Sequence, residues 1–172
     1  NPHFVFNALN GIRSLVDEDP SKAKTAITQL SNILRNSLLS DRARTIPFSE
    51  ELKTVNDYLN LEKIRFDERL RFSNDLDPNT FSIQVPPMMI QTLVENAVKH
   101  GIAPRGTGEI IIRLSLQDQL LVIDIIDDGP GMVTETESGF GIRAISNEFE
   151  ILKDLYNTEI GITIENRQKK ES

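Results

Sequence analysis

Apolar residues recur every three or four positions over roughly the first forty residues. Val5, Ala8, Leu9, Ile12, Leu15 and Val16 share one helical face, which predicts a helix over about residues 3–17. Asp19-Pro20 then offers a capping carboxylate followed by proline at a first helical position. The next helix runs to about residue 40, with Ala23, Ile27, Leu30, Ile33, Leu34 and Leu38 on one side. So short a connection makes the two helices antiparallel neighbours. A lone hairpin buries such stripes poorly. Pairing with a second copy into a four-helix bundle is the expected solution, and packing on the downstream part of the same chain is the alternative.

Polar residues 42–45 and Pro47 mark a boundary, so the expected units are 1–45 and 46–172. Ser49 is placed to cap a third helix over about 50–66. Residues 69–75 read as a strand, Asp77-Pro78-Asn79 as a turn and 81–85 as another short strand. Pro86-Pro87 opens a helix that Gly101 can end. Residues 109–116 and 120–126 are rich in Ile, Leu and Val and predict a hairpin of buried strands. A glycine-punctuated loop over 129–141, a helix over about 142–155 and a last strand over 160–165 complete the layout. The fold class is α+β: a helical hairpin, then an α/β layer with a mixed, mostly antiparallel sheet. A Rossmann unit fits badly, because no glycine-rich turn follows a first strand; the P-loop pattern is absent as well.

Composition narrows the chemistry. The chain has 172 residues, 38% of them hydrophobic and 26% charged, the balance of a folded domain. No apolar run approaches the roughly 18 residues of a membrane span. A net charge of −7 argues against nucleic acid or anionic lipid as the main ligand. The absence of cysteine excludes disulfides, zinc–thiolate sites and thiol nucleophiles, and two histidines make a multi-histidine metal site untenable. The chain opens on Asn1-Pro2-His3 with neither initiator methionine nor signal peptide, and is read as a piece of something longer.

Three groups of residues carry candidate chemistry. On the first helix His3, Asn7, Asn10 and Ser14 form a polar stripe roughly opposite the apolar face, so His3 is expected to face solvent. A neutral imidazole, with an ordinary pKa of about 6.5, is a competent nucleophile near neutrality. In Gln91 to Gly101, Asn96, Lys99 and His100 lie three and four apart on one edge. A carboxamide oxygen suits Mg²⁺, and a lysine supplies a point charge for phosphate. Finally, Asp127-Asp128-Gly129-Pro130-Gly131 ends a strand, and Gly139-Phe140-Gly141 precedes a helix. There a carboxylate can accept from an exocyclic amine, and backbone N–H groups can meet an anion. Each group alone is as well explained by an exposed helix edge or a charged turn. Their order and contexts together are specific.

Residues 1–10, Asn-Pro-His-Phe-Val-Phe-Asn-Ala-Leu-Asn, closely resemble the phosphoacceptor box of LytS/YehU-type sensor histidine kinases. Residues 93–101 resemble the N-box of that family, 128–131 its first glycine box and 139–142 its second, and Glu62 to Phe66 fits the pattern between them. The likeness covers nearly the whole chain. The later boxes are shared with the wider gyrase, Hsp90, histidine-kinase and MutL (GHKL) superfamily.

The resemblance implies a dimerising hairpin followed by a Bergerat-type (GHKL) two-layer sandwich that binds ATP. It implies that His3 is the phosphoacceptor, that Asn96 holds Mg²⁺, and that Lys99 and His100 lie near the phosphates. Asp128 would accept the adenine amino group, while Gly129, Gly131, Gly139 and Gly141 shape the pocket and its lid. Asn7, one turn beyond His3, is the candidate for orienting the imidazole or a water during dephosphorylation. The implied partner is a response regulator, which in this family often carries a LytTR DNA-binding domain; the chain itself would not touch DNA. The location implied is the cytoplasmic side of a membrane-anchored bacterial sensor, with spans only upstream. ATP-hydrolysing cousins carry a glutamate where this chain has Thr92, which fits transfer to His3 rather than hydrolysis. Ala144 and Glu148-Phe149 depart from the family pattern, and a closing strand is expected to be missing after Arg167. The alternatives are a catalytically degenerate nucleotide-binding or dimerisation module and a GHKL ATPase.

Overall fold

The computed structural model describes residues 2–39, 45–117 and 120–130. Two helices, α1 (Pro2–Glu18) and α2 (Pro20–Leu39), are joined by the single residue Asp19. That residue caps α2 as its sequence suggests: the Lys22 N–H donates to Asp19 Oδ1 at 3.0 Å, and the bond holds the Asp19 carboxyl below its ordinary range. After β1 (Ile46–Pro47), helix α3 spans Phe48–Phe66. Strand β2 (Leu70–Leu76), β3 (Gln84–Val85), α4 (Met89–Asn96), β4 (Gly108–Gln117) and β5 (Leu120–Asp127) follow.

The sheet is mixed. Its order is β2-β4-β5, with β2 and β4 parallel and β4 and β5 antiparallel. The parallel pair requires a crossover, and α4 supplies it. A separate antiparallel pair joins β1 to β3. Along β4 burial alternates: Ile110, Ile112 and Leu114 face inward, against the helical layer. One hydrophobic cluster runs from Phe4 and Ile12 through Val55, Leu59 and Ile90 to that strand.

The hairpin packs on the rest of its own chain. Phe4, Ala8 and Ile12 of α1 and Ala26, Leu30 and Ile33 of α2 are buried in that cluster. Between α2 and α3 the Asn32 amide donates to Asp57 Oδ2 at 3.2 Å, and the Asn36 amide to Thr54 Oγ1 at 2.7 Å. The contact uses only part of each apolar stripe. Leu9, Val16, Ile27, Leu34 and Leu38, all assigned to the buried faces from the sequence, are exposed. Phe4, by contrast, is buried because α3 approaches at the side of α1 that it occupies.

Three local expectations shift. Ser49 lies inside α3 and does not cap it: Phe48 already begins the helix, after Pro47, and no side chain caps that end. Only 84–85 of the strand expected over 81–85 forms, because residues 78–81 close a tight turn on Asp77. The helix after Pro86-Pro87 starts two residues late, at Met89, because Met88 takes a left-handed conformation with φ 66°. The expected helix over 142–155 and strand over 160–165 lie outside the described residues, as does the turn at 118–119.

Candidate functional site

His3 sits exposed in the first turn of α1. Asn7 Nδ2 lies 3.2 Å from its Nδ1, across one turn of helix. In that orientation the amide donates, Nδ1 accepts and the ring proton rests on Nε2. Turning the amide over presents Oδ1 instead, holds the proton on Nδ1 and frees the Nε2 lone pair. Asn10 and Ser14 continue the exposed stripe.

The second group forms at the end of α4. There the helix widens into a π-turn over Ala97–Ile102, in which the Ala103 N–H reaches back five residues to the Val98 carbonyl at 2.8 Å. Such turns rotate side chains away from the three-and-four register. Lys99 and His100 are therefore exposed on the widened turn, whereas Asn96 is half-buried at its start. The Asn96 Nδ2 is buried and has no hydrogen-bond partner among the described residues. Burying a polar group unpaired costs free energy. An amide held in this way fits a ligand-facing role, and its oxygen is the kind of hard donor that Mg²⁺ takes. Thr92 closes on its own turn instead, donating through Oγ1 to the Met88 carbonyl at 2.7 Å.

The carboxylates at the end of β5 divide. Asp128 is tied down: its Oδ1 accepts from the Glu109 N–H at 2.9 Å and lies 3.7 Å from Arg105 Nη1. The Arg105 guanidinium also donates to the Asp128 carbonyl. Asp127 takes the other side. Its Oδ1 accepts from the Gly129 N–H at 2.9 Å and lies against Gly101 of the π-turn. The π-turn of α4, Asp127 and Gly129 thus meet at one place, and Asp128 points out of it. The sequence singled out Asp128. The signal for Asp127 was there in the period of two that groups it with Gly129 and Gly131. Gly131, Gly139 and Gly141 lie outside the described residues, together with Ala144 and Glu148-Phe149.

A buried carboxylate sets the start of α4. Glu51, in the first turn of α3, accepts from the Met88 N–H at 2.9 Å and the Gln91 N–H at 3.1 Å. It does from a distance what a local capping residue would do. Burial raises its pKa, and those backbone bonds oppose the rise. No periodicity reveals a cap supplied from forty residues away.

A family model described as Histidine kinase matches residues 1–70, and one described as Histidine kinase-, DNA gyrase B-, and HSP90-like ATPase matches residues 87–169. The chain is 39% identical over 149 residues to Sensor protein LytS of Staphylococcus saprophyticus, covering 86% of this chain and 25% of that protein. It is 35% identical over 178 residues to Sensor protein LytS of Enterococcus faecalis, covering 96% and 30% respectively. It belongs to the LytS-type sensor histidine kinases. The chain spans under a third of the curated relatives it matches. Among solved structures, the Erythrobacter litoralis EL346 blue-light activated histidine kinase aligns with a TM-score of 0.50 at 16% identity, over 88% of this chain and 52% of that one. That likeness concerns the fold, in which a helical part precedes an HATPase-like α/β layer.

Proposed function

We propose that the chain is the kinase core of a two-component sensor: it binds ATP with Mg²⁺, phosphorylates His3 and passes the phosphoryl group to an aspartate of a response regulator. The supporting observation is Asn96, whose buried Nδ2 has no partner among the described residues, at the head of a π-turn whose Gly101 lies against Asp127 and Gly129. In this reading residues 1–45 present the histidine and 46–172 hold the nucleotide. Asp127 rather than Asp128 is the carboxylate for the adenine amino group, because Asp128 is already engaged by Glu109 and Arg105. Lys99 and His100 are free to reach phosphate oxygens from the exposed turn. The family resemblance assigns Gly131, Gly139 and Gly141 to the same pocket.

Asn96 would hold Mg²⁺, which when bound neutralises developing phosphate charge. The chain's own work is positioning. The His3 imidazole nitrogen bonds to the γ-phosphorus while the bond to the β–γ bridging oxygen breaks and ADP leaves. Asn7 presents Oδ1 to Nδ1–H, so that Nε2 is the attacking atom. Thr92 spends its hydroxyl on the Met88 carbonyl and activates no water, which favours transfer over hydrolysis.

The exposed apolar seam of α1 and α2 supports homodimerisation. No helix among the described residues is long and apolar enough to cross a membrane. Placement on the cytoplasmic side of a membrane-anchored sensor, and a LytTR-type regulator as partner, are supported by the family resemblance; the relatives' name adds only that they are sensor proteins. Incubation with Mg²⁺ and γ-labelled ATP tests the reading. Acid-labile, base-stable label that disappears in His3→Ala is expected. Steady phosphate release independent of His3 would instead indicate an ATPase.

A further inference from the structure

The start of α4 is held from outside. Pro86 and Pro87 have no N–H to donate, and Met88, in its left-handed conformation, supplies no side-chain cap. The first turn of α4 carries no acidic residue either. Two of the N–H groups there go instead to Glu51 of α3, whose Oε2 accepts from Met88 at 2.9 Å and whose Oε1 accepts from Gln91 at 3.1 Å. Glu51 is 2% exposed and, among the described residues, forms no ion pair. Its charge is met by those two donors and by the positive end of the α4 dipole. Its neighbours on α3, Phe48, Leu52 and Val55, are buried, so α3 keeps the carboxylate in place.

Stability alone does not call for this arrangement. A serine, threonine or asparagine just ahead of a helix caps it locally, without burying a charge. A local cap ties α4 to residues that move with it, whereas Glu51 ties it to α3. The two bonds fall three residues apart along the chain, so they fix both the height of α4 along its axis and its rotation about that axis. Asn96 ends the same helix, about 7.5 Å further along, and the π-turn begins directly after it. We propose that Glu51 is a positioning residue for the nucleotide site: by holding α4 to α3 at two points it sets where Asn96 stands relative to a Mg²⁺-bound triphosphate. The inference rests on the kinase reading above. Glu51 acts through α4 and takes no part in the chemistry itself.

The test uses the whole chain and reads hydrogen exchange of the Met88 and Gln91 amides by NMR, together with ATP affinity with and without Mg²⁺. Glu51→Gln keeps the shape of the side chain and one accepting oxygen, and turns the other arm into a donor that cannot meet an N–H. It is expected to speed exchange of one of the two amides at least about tenfold. Mg²⁺-dependent ATP binding is expected to weaken roughly five- to tenfold, with Mg²⁺-free binding within about twofold of the unmodified chain. Glu51→Leu removes both acceptors and is expected to lose more of the Mg²⁺-dependent affinity; Glu51→Gln decides the matter if the leucine variant fails to fold. Faster exchange with unchanged affinity for Mg²⁺ and ATP would leave Glu51 a stabilising cap and nothing more. An equal loss with and without Mg²⁺ would mean that Asn96 is not what it places. Either result overturns the positioning role alone. If the unmodified chain binds no ATP at all, the kinase reading falls, and this inference with it.

Discussion

Gly101 and Gly129 meet with no side chain between them. A methyl group built on Gly129 would run into Gly101 Cα and come within 2.6 Å of Asp127 Oδ1, and one built on Gly101 would come within 2.9 Å of Asp127 Cγ. Neither glycine is needed here for a left-handed backbone. Both are needed for contact, because they let the end of β5 touch the π-turn that follows Asn96. Gly101→Ala should therefore destabilise the fold by about 1–3 kcal/mol, the usual cost of forcing an extra carbon into a filled space. It should also lower ATP affinity more than that loss of stability explains, since Asp127 must move. Thermal unfolding and ATP titration of the same sample check both parts. An alanine variant with unchanged melting and binding would show that the contact is slack.

The division of labour between Asp127 and Asp128 gives an asymmetric pair. Asp128→Ala removes the acceptor of the Glu109 N–H and the partner of Arg105, so it should cost roughly 1–3 kcal/mol of stability. ATP affinity of the fraction that remains folded should stay close to that of the unmodified chain. Asp127→Asn keeps an oxygen for the Gly129 N–H, so stability should hardly change, while ATP binding weakens about tenfold or more through loss of a charged acceptor. The reverse result, binding lost in Asp128→Ala and kept in Asp127→Asn, would return the adenine-facing role to Asp128.

The long helices, the strand pair 109–116 and 120–126 and the three described boxes were legible because each is written in local periodicity or a short spacing. What escaped was non-local. The sequence shows that α1 and α2 carry broad apolar stripes, but which residues are buried depends on where α3 approaches. Phe4 lies outside the stripe chosen from spacing and is buried, while Leu9 lies inside it and is exposed. Glu51 reads as an ordinary acidic residue of a helix's first turn, until α4 begins beside it. The Asp127–Asp128 choice turned on one residue of register, and a one-residue shift along a strand exchanges its faces.

Glu62 has a pH signature of definite sign. Burial raises its pKa above the ordinary 4.5, and Glu95 adds to the rise, while Arg65 and the Tyr58 hydroxyl oppose it. The folded state thus holds a proton more tightly than the unfolded chain. Stability is full below about 4.5 and is lost as pH rises through the raised value. Glutamine mimics the protonated side chain at every pH. Glu62→Gln should therefore melt higher than the unmodified chain at neutral pH, and the difference should vanish as pH falls toward 4.5. A difference of the same size at both ends would mean that the amide acts by packing alone, with no contribution from the carboxyl's titration.

The exposed seam of the hairpin makes the oligomeric state testable. Phe6, Leu9 and Val16 on α1 and Ile27, Leu34 and Leu38 on α2 repeat at intervals of three, four and seven, the spacing of helices that pack along a shared groove. Phe6 is 68% and Leu38 79% exposed, an expensive arrangement for side chains of that size unless a second hairpin covers them. In a two-fold dimer each substitution occurs twice. Burying one leucine contributes about 1.5–3 kcal/mol, so Leu34→Lys should weaken self-association at least about a hundredfold. Leu116→Lys, on an apolar residue of β4 away from the seam, should leave self-association unchanged while showing what an added lysine does by itself. Sedimentation equilibrium across a concentration series reads both. If the unmodified chain sediments as a monomer throughout, or if both lysine variants dissociate alike, the seam is not what joins two copies.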